Sequence, residues 1–88
     1  MGVIAYTLIR TESHRKNEIV DRMKKLEPVR EARSVYGEYD ILVKTETRSI
    51  TELTSFIYTH LRKISGLTRT TTMITASLEP TGSETLTS

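Results

Sequence analysis

The 88 residues suffice for one domain with one modest core, hiding roughly 60–65% of the surface the unfolded chain exposes. Hydrophobic residues make up 36% and charged residues 27%, a soluble globular balance, and the absence of cysteine excludes disulfides and thiolate metal sites. With a formal net charge of +2 and no like-charge run beyond three residues, tight nucleic-acid binding is not expected. Nor is any apolar stretch near the ~20 residues of a membrane span, and no secretory signal opens the chain. A cytoplasmic location is the default expectation.

Val3 to Ile9 (VIAYTLI) has the length and β-branched content of a strand. Apolar residues of both parities occur in it, so both of its faces require cover. Ser13 to Leu26 reads as a helix with Ile19, Val20, Met23 and Leu26 on one stripe. Glu18 with Arg22, and Asp21 with Lys25, stand at i,i+4 with the acid first. His14, Arg15 and Lys16 oppose the dipole of that helix if they occupy its first turn. Either the helix starts later, near Asn17, or the turn attracts an anion; the later start is the expectation.

Pro28 ends the helix, Val29 to Tyr36 reads as a strand, and Asp40 to Glu46 is its partner across a turn at Gly37. A glycine there takes positive φ without steric penalty, and Glu38, Tyr39 and Asp40 put acceptors, a donor and a ring on the same bend. Ser49 and Glu52 form a capping box. Ile50, Leu53, Ile57, Leu61 and Ile64 continue a helical stripe that Gly66 closes, about 16 residues or ~24 Å long. Leu67 to Ala76 is a threonine-rich fourth strand. The rest is read as a mobile tail, giving a domain over 1–77 and a flexible segment over 78–88.

This order predicts an α+β ferredoxin-like βαββαβ fold, a four-stranded antiparallel sheet with both helices on one face. The helices cover only that face, and the other retains about half the apolar side chains of the first, third and fourth strands. A second copy packed sheet to sheet is the simplest cover, so a dimer is expected.

No catalytic constellation is legible. The two histidines, His14 and His60, do not form a paired ligand motif, and no nucleophile elbow surrounds any serine. Glu38 and Asp40 are close in sequence, but a proton shared between them for acid–base work is not expected. Neither an enzyme nor a metal or other cofactor is expected. A small dimeric α+β barrel enzyme using His60 and Tyr58, and a ligand-independent structural subunit, are the rival readings.

Three segments in order, AYTLIRT, EPVREARSVYGEYDILVKTE and ISGLTRTTTMI, resemble the C-terminal effector domain (RAM domain) of the Lrp/AsnC feast/famine regulators. The middle one resembles the family pattern P-V-x-E-A-x-x-V-x-G-x-Y/F-D and the last resembles I-x-G-V-x-x-T-x-T. The resemblance covers residues 3 to 76. Family regulators carry a helix-turn-helix domain before this one. Here Met1 leads into the first strand, so the chain resembles stand-alone members and direct DNA contact is not expected.

The resemblance implies an amino-acid effector, a homodimer assembling into rings such as octamers, and association with full-length Lrp/AsnC regulators. Residue by residue it implies a ligand site at Tyr36, Gly37, Glu38, Tyr39 and Asp40 of the turn and Thr70 and Thr72 of the last strand. Asp40 has a structural alternative, capping its own turn.

Overall fold

A computed structural model describes residues 2–75. Its elements are β1 (Val3–Thr11), α1 (Lys16–Lys24), β2 (Val29–Ser34), β3 (Ile41–Thr47), α2 (Ile50–Thr59), a 3-10 turn (Leu61–Lys63) and β4 (Leu67–Ile74). They form one antiparallel sheet in the order β2-β3-β1-β4 with both helices on one side, the ferredoxin-like arrangement expected from the sequence. The proposed tail and Ala76 lie outside the described residues.

Strand β1 sets the layering. Its odd residues Ala5, Thr7, Ile9 and Thr11 are buried beneath the helices, while Ile4, Tyr6 and Leu8 are half-buried on the open side. Pairing carries this alternation into β3, where Ile41, Val43, Thr45 and Thr47 are buried. Val29 and Ala32 of β2 extend the floor, and Ile19, Val20 and Met23 of α1 close over it. The four buried threonines are satisfied: Thr7 shares a hydroxyl bond with Thr72 (3.0 Å), Thr45 donates to the Ala5 carbonyl (3.5 Å), Thr47 to that of Ser49 (2.9 Å) and Thr11 to that of Ser65 (2.8 Å).

Several boundaries differ from expectation. Helix α1 starts at Lys16, one residue before Asn17, and its Arg15 N-cap has no side-chain oxygen to offer. Glu18 meets Arg15 (3.8 Å) rather than the expected Arg22. β1 runs on to Thr11 because β4 pairs with it through Arg10↔Arg69 and, past a bulge, Thr11↔Leu67. β2 stops at Ser34 and β3 begins at Ile41, leaving a longer hairpin loop than the strands read from the sequence.

The second helix is shorter than the expected 16 residues. It gives way at His60 to the 3-10 turn, and Ile64 is extended. At three residues per turn Leu61 and Ile64 fall on the same side, and both are buried. Phe56 takes the core position that the stripe assigned to Ile57, which is half-buried, while Ile50 is left exposed. Gly66 closes the turn into β4 rather than the helix itself, with φ 70°. A Cβ there would stand 3.0 Å from the Ser13 nitrogen.

The expected capping box is half formed: the Ser49 hydroxyl accepts from the Glu52 N–H (3.1 Å), but the Glu52 carboxylate accepts from the Arg48 N–H (2.6 Å), one residue before the cap, rather than from that of Ser49. That bond, followed in size by opposing desolvation and the Arg48 charge, holds the Glu52 carboxyl below its ordinary value.

Two substitutions separate core from cap. Ile9→Ala, at a fully buried site, is expected to cost about 2–5 kcal/mol. Ser49→Ala is expected to cost about 1 kcal/mol. Urea unfolding measures both, and equal losses would contradict the layering described.

Candidate ligand site at the hairpin corner

The β2–β3 loop closes on a backbone bond from Val35 N–H to the Asp40 carbonyl (2.9 Å). Four residues bridge it, and Gly37 at φ 118° has no atom within 4 Å of where a Cβ would stand. Backbone conformation, not space, therefore selects glycine. Tyr36 is fully exposed at the tip and Gly37 and Glu38 are exposed beside it.

Asp40 is a structural tie. Its N–H donates to the Ile9 carbonyl (2.8 Å), its Oδ2 accepts from the Thr11 N–H (3.0 Å), and its Oδ1 lies 3.4 Å from the Lys16 ammonium. The carboxylate thus caps the β1–α1 corner rather than its own turn. The Thr11 amide is the largest influence holding its carboxyl below the ordinary aspartate value; desolvation opposes it, and Lys16 and Arg10 add to it.

Tyr39 crosses to the open side of the sheet, where its hydroxyl meets that of Thr71 (2.8 Å) and the Arg69 guanidinium stands 6.0 Å from its ring centroid. Arg10 donates to the Glu38 carbonyl (3.2 Å) and is the cross-strand partner of Arg69. Like charges placed opposite each other repel, so this pair favours an anion between or beside them. No cation is paired with the Glu38 carboxylate among the described residues.

The structure therefore brings Glu38 and Tyr39 together with Arg10, Arg69 and Thr71, three residues that sequence reasoning did not select. Strand periodicity held the signal. Thr70 and Thr72 pair with Ile9 and Thr7 and share their helix-facing side, whereas Thr71 points to the opposite face with Leu8. Within one protomer Thr70 and Thr72 do not join Tyr39. Of the residues in the enzyme reading, Tyr58 stacks with Arg62 (5.2 Å) and His60 lies against Phe56 (5.2 Å). Groups of three or more histidine, cysteine or acidic residues able to hold a metal do not occur among the described residues, and no helix there is long and apolar enough to cross a membrane.

Residues 4–79 match the family model described as the Lrp/AsnC ligand binding domain. An uncharacterized HTH-type transcriptional regulator of Pyrococcus furiosus is 31% identical over 77 residues, 84% of this chain and 51% of that protein. The chain spans about half the length of the curated relatives it matches. A hypothetical protein from Pyrococcus horikoshii superposes with TM-score 0.79 at 39% identity, over 88% of this chain and 92% of that one. Escherichia coli AsnC shares the fold, with TM-score 0.77 at 23% identity over 93% of this chain and 56% of its own.

A depressed carboxyl stabilises the fold above the unfolded-state pKa, and that stability is lost as pH falls through the lower folded value. Asp40→Asn should therefore lower the melting temperature most near neutral pH. The difference from wild type should vanish toward the acid end of a calorimetric pH series. A constant offset across pH would refute the charged tie.

Proposed function

The chain belongs to the Lrp/AsnC ligand-binding domain family, and from that premise we propose that it binds an amino acid at the hairpin corner and converts occupancy into assembly of dimers. The observation that carries this reading is the convergence of Arg10, Arg69, Tyr39 and Glu38 at one end of the open sheet face.

A zwitterion needs donors for its carboxylate and acceptors for its ammonium. The two guanidiniums supply the first, with the Tyr39 hydroxyl beside them. Glu38 supplies the second, because both oxygens of Asp40 are engaged with Thr11 and Lys16. Gly37 allows the loop to present these groups, and Tyr36 at its exposed tip reaches toward a neighbouring dimer. Thr70 and Thr72, on the far side of β4, enter the site only as contributions from another protomer.

Assembly has its own physical support. Ile4, Tyr6, Leu8, Leu42 and Met73 share the open face, with Met73 51% exposed. Charges rim it: Lys44 stands 5.9 Å over the Tyr6 ring, and Glu31 pairs with Arg33 at 2.7 Å on the β2 edge. An apolar centre with a polar rim is the anatomy of a protein interface. Two copies packed through this face form the dimer, and dimers meeting at their hairpin corners form a ring such as an octamer. The relatives are named as transcriptional regulators, which makes a full-length Lrp/AsnC regulator the natural second partner.

A ligand bound between dimers favours the assembled state by RT ln(1 + [L]/Kd), about 2.7 kcal/mol at a hundredfold excess. By linkage, assembly raises ligand affinity by the same factor.

Screening the twenty amino acids by thermal shift and sedimentation velocity should find at least one that raises both melting temperature and sedimentation coefficient. Arg10→Gln with Arg69→Gln should abolish the response while the dimer persists. Leu8→Lys should yield monomers. Indifference to every amino acid would remove the effector reading, and a wild-type monomer at micromolar concentration would remove the assembly.

A further inference from the structure

On the helix side of the molecule, a cleft of about 440 Å³ separates the start of α1 from the end of α2 and the 3-10 turn. His14, Arg15, Glu18 and Arg22 line one wall, and His60 and Lys63 line the other. Ile19 and Ile64, both buried in the core, form part of its base. We propose that this cleft binds the phosphate group of a small molecule, separately from the hairpin corner.

Charge is the first argument. Arg15, Arg22 and Lys63 against Glu18 leave an excess of two positive charges, equal to the formal net charge of the whole chain. Three cations against one carboxylate make this concave place locally positive. Two imidazoles add donors there. Glu18 offsets this weakly, since its contact with Arg15 is long (3.8 Å) and both side chains are largely exposed.

The chain's placement of cations is the second argument. Basic residues at a helix start oppose the dipole, and starting α1 at Lys16 does not remove the conflict, because His14 and Arg15 remain at its mouth. Lys16 turns away to Asp40, whereas His14 and Arg15 face the cleft. Arg15 provides no cap for the first-turn amides. An anion in the cleft would meet the side-chain cations and the positive end of the helix together.

The donor set favours phosphate over carboxylate. Guanidinium, ammonium and imidazole groups come from two walls, and a tetrahedral dianion accepts from several directions at once. A carboxylate, with one plane and one charge, would leave one wall unmatched. Small molecules are favoured over nucleic acid because the cations line a cleft rather than a stripe. Glu18 and Asp21 interrupt the exposed row of α1.

Calorimetric titration of the full chain with inorganic phosphate, AMP, acetate and a short DNA duplex tests this, with amide NMR shifts locating the contact. Phosphate or AMP should bind, moving the Ser13–Arg15 and His60–Lys63 amides. Tighter binding of AMP assigns an organic phosphate, and equal binding assigns the free ion. The double variant Arg22→Gln/Lys63→Gln should weaken binding about tenfold or more. Lys24→Gln/Lys25→Gln, which removes two charges at the end of α1 outside the cleft, should stay within about twofold.

Equal losses in both variants would indicate diffuse attraction and overturn the site. So would acetate matching phosphate, or duplex binding with no response to phosphate or AMP. Amino-acid responses at the hairpin are read separately through Arg10 and Arg69, so either site can fail alone.

Discussion

The fold depends on the alternation of β1. Being second from one edge and bonded to both β3 and β4, this strand fixes which residues of its neighbours face the helices. A shift of one residue would exchange Ala5, Thr7 and Ile9 for Ile4, Tyr6 and Leu8 and bring Arg10 toward the core. Two features at its end prevent this. Thr11 is held by Asp40 and Ser65, and Glu12 donates to the Gly66 carbonyl (2.9 Å).

The same corner connects stability with the candidate ligand site. Asp40 lies at the end of the hairpin loop, and its carboxylate fastens that loop to the β1–α1 junction. The arginines next to it emerge from strands rather than loops. A site built on a sheet end retains its geometry when the tip of the loop moves, while the exposed residues from Tyr36 to Glu38 can adapt to whatever they meet.

The molecule presents two chemically different surfaces. The open sheet side combines aliphatic and aromatic residues with a charged rim. The helix side carries the cationic cleft, built where α1 begins and α2 ends. The two are joined at the β1–α1 corner, where Asp40 holds Thr11 and Lys16 and the Thr11 hydroxyl donates to the Ser65 carbonyl at the edge of the cleft.

Sequence alone determined the order of elements, the buried stripe of α1, the Ser49 cap of α2 and the glycine turn, because each follows from local spacing and backbone preference. It also carried the family pattern from Pro28 to Asp40. Tertiary structure decided what local rules cannot. Asp40 reaches Thr11 across 29 residues of sequence, and Tyr39 reaches Thr71 across 32. Which threonine of the run Thr70–Thr72 meets the hairpin depended on the register of β4 against β1, and register is set by pairing between distant strands. The stripe foresaw the burial of Leu61 and Ile64, whereas the change to a 3-10 turn at His60 and the entry of Phe56 into the core appear only in the folded chain.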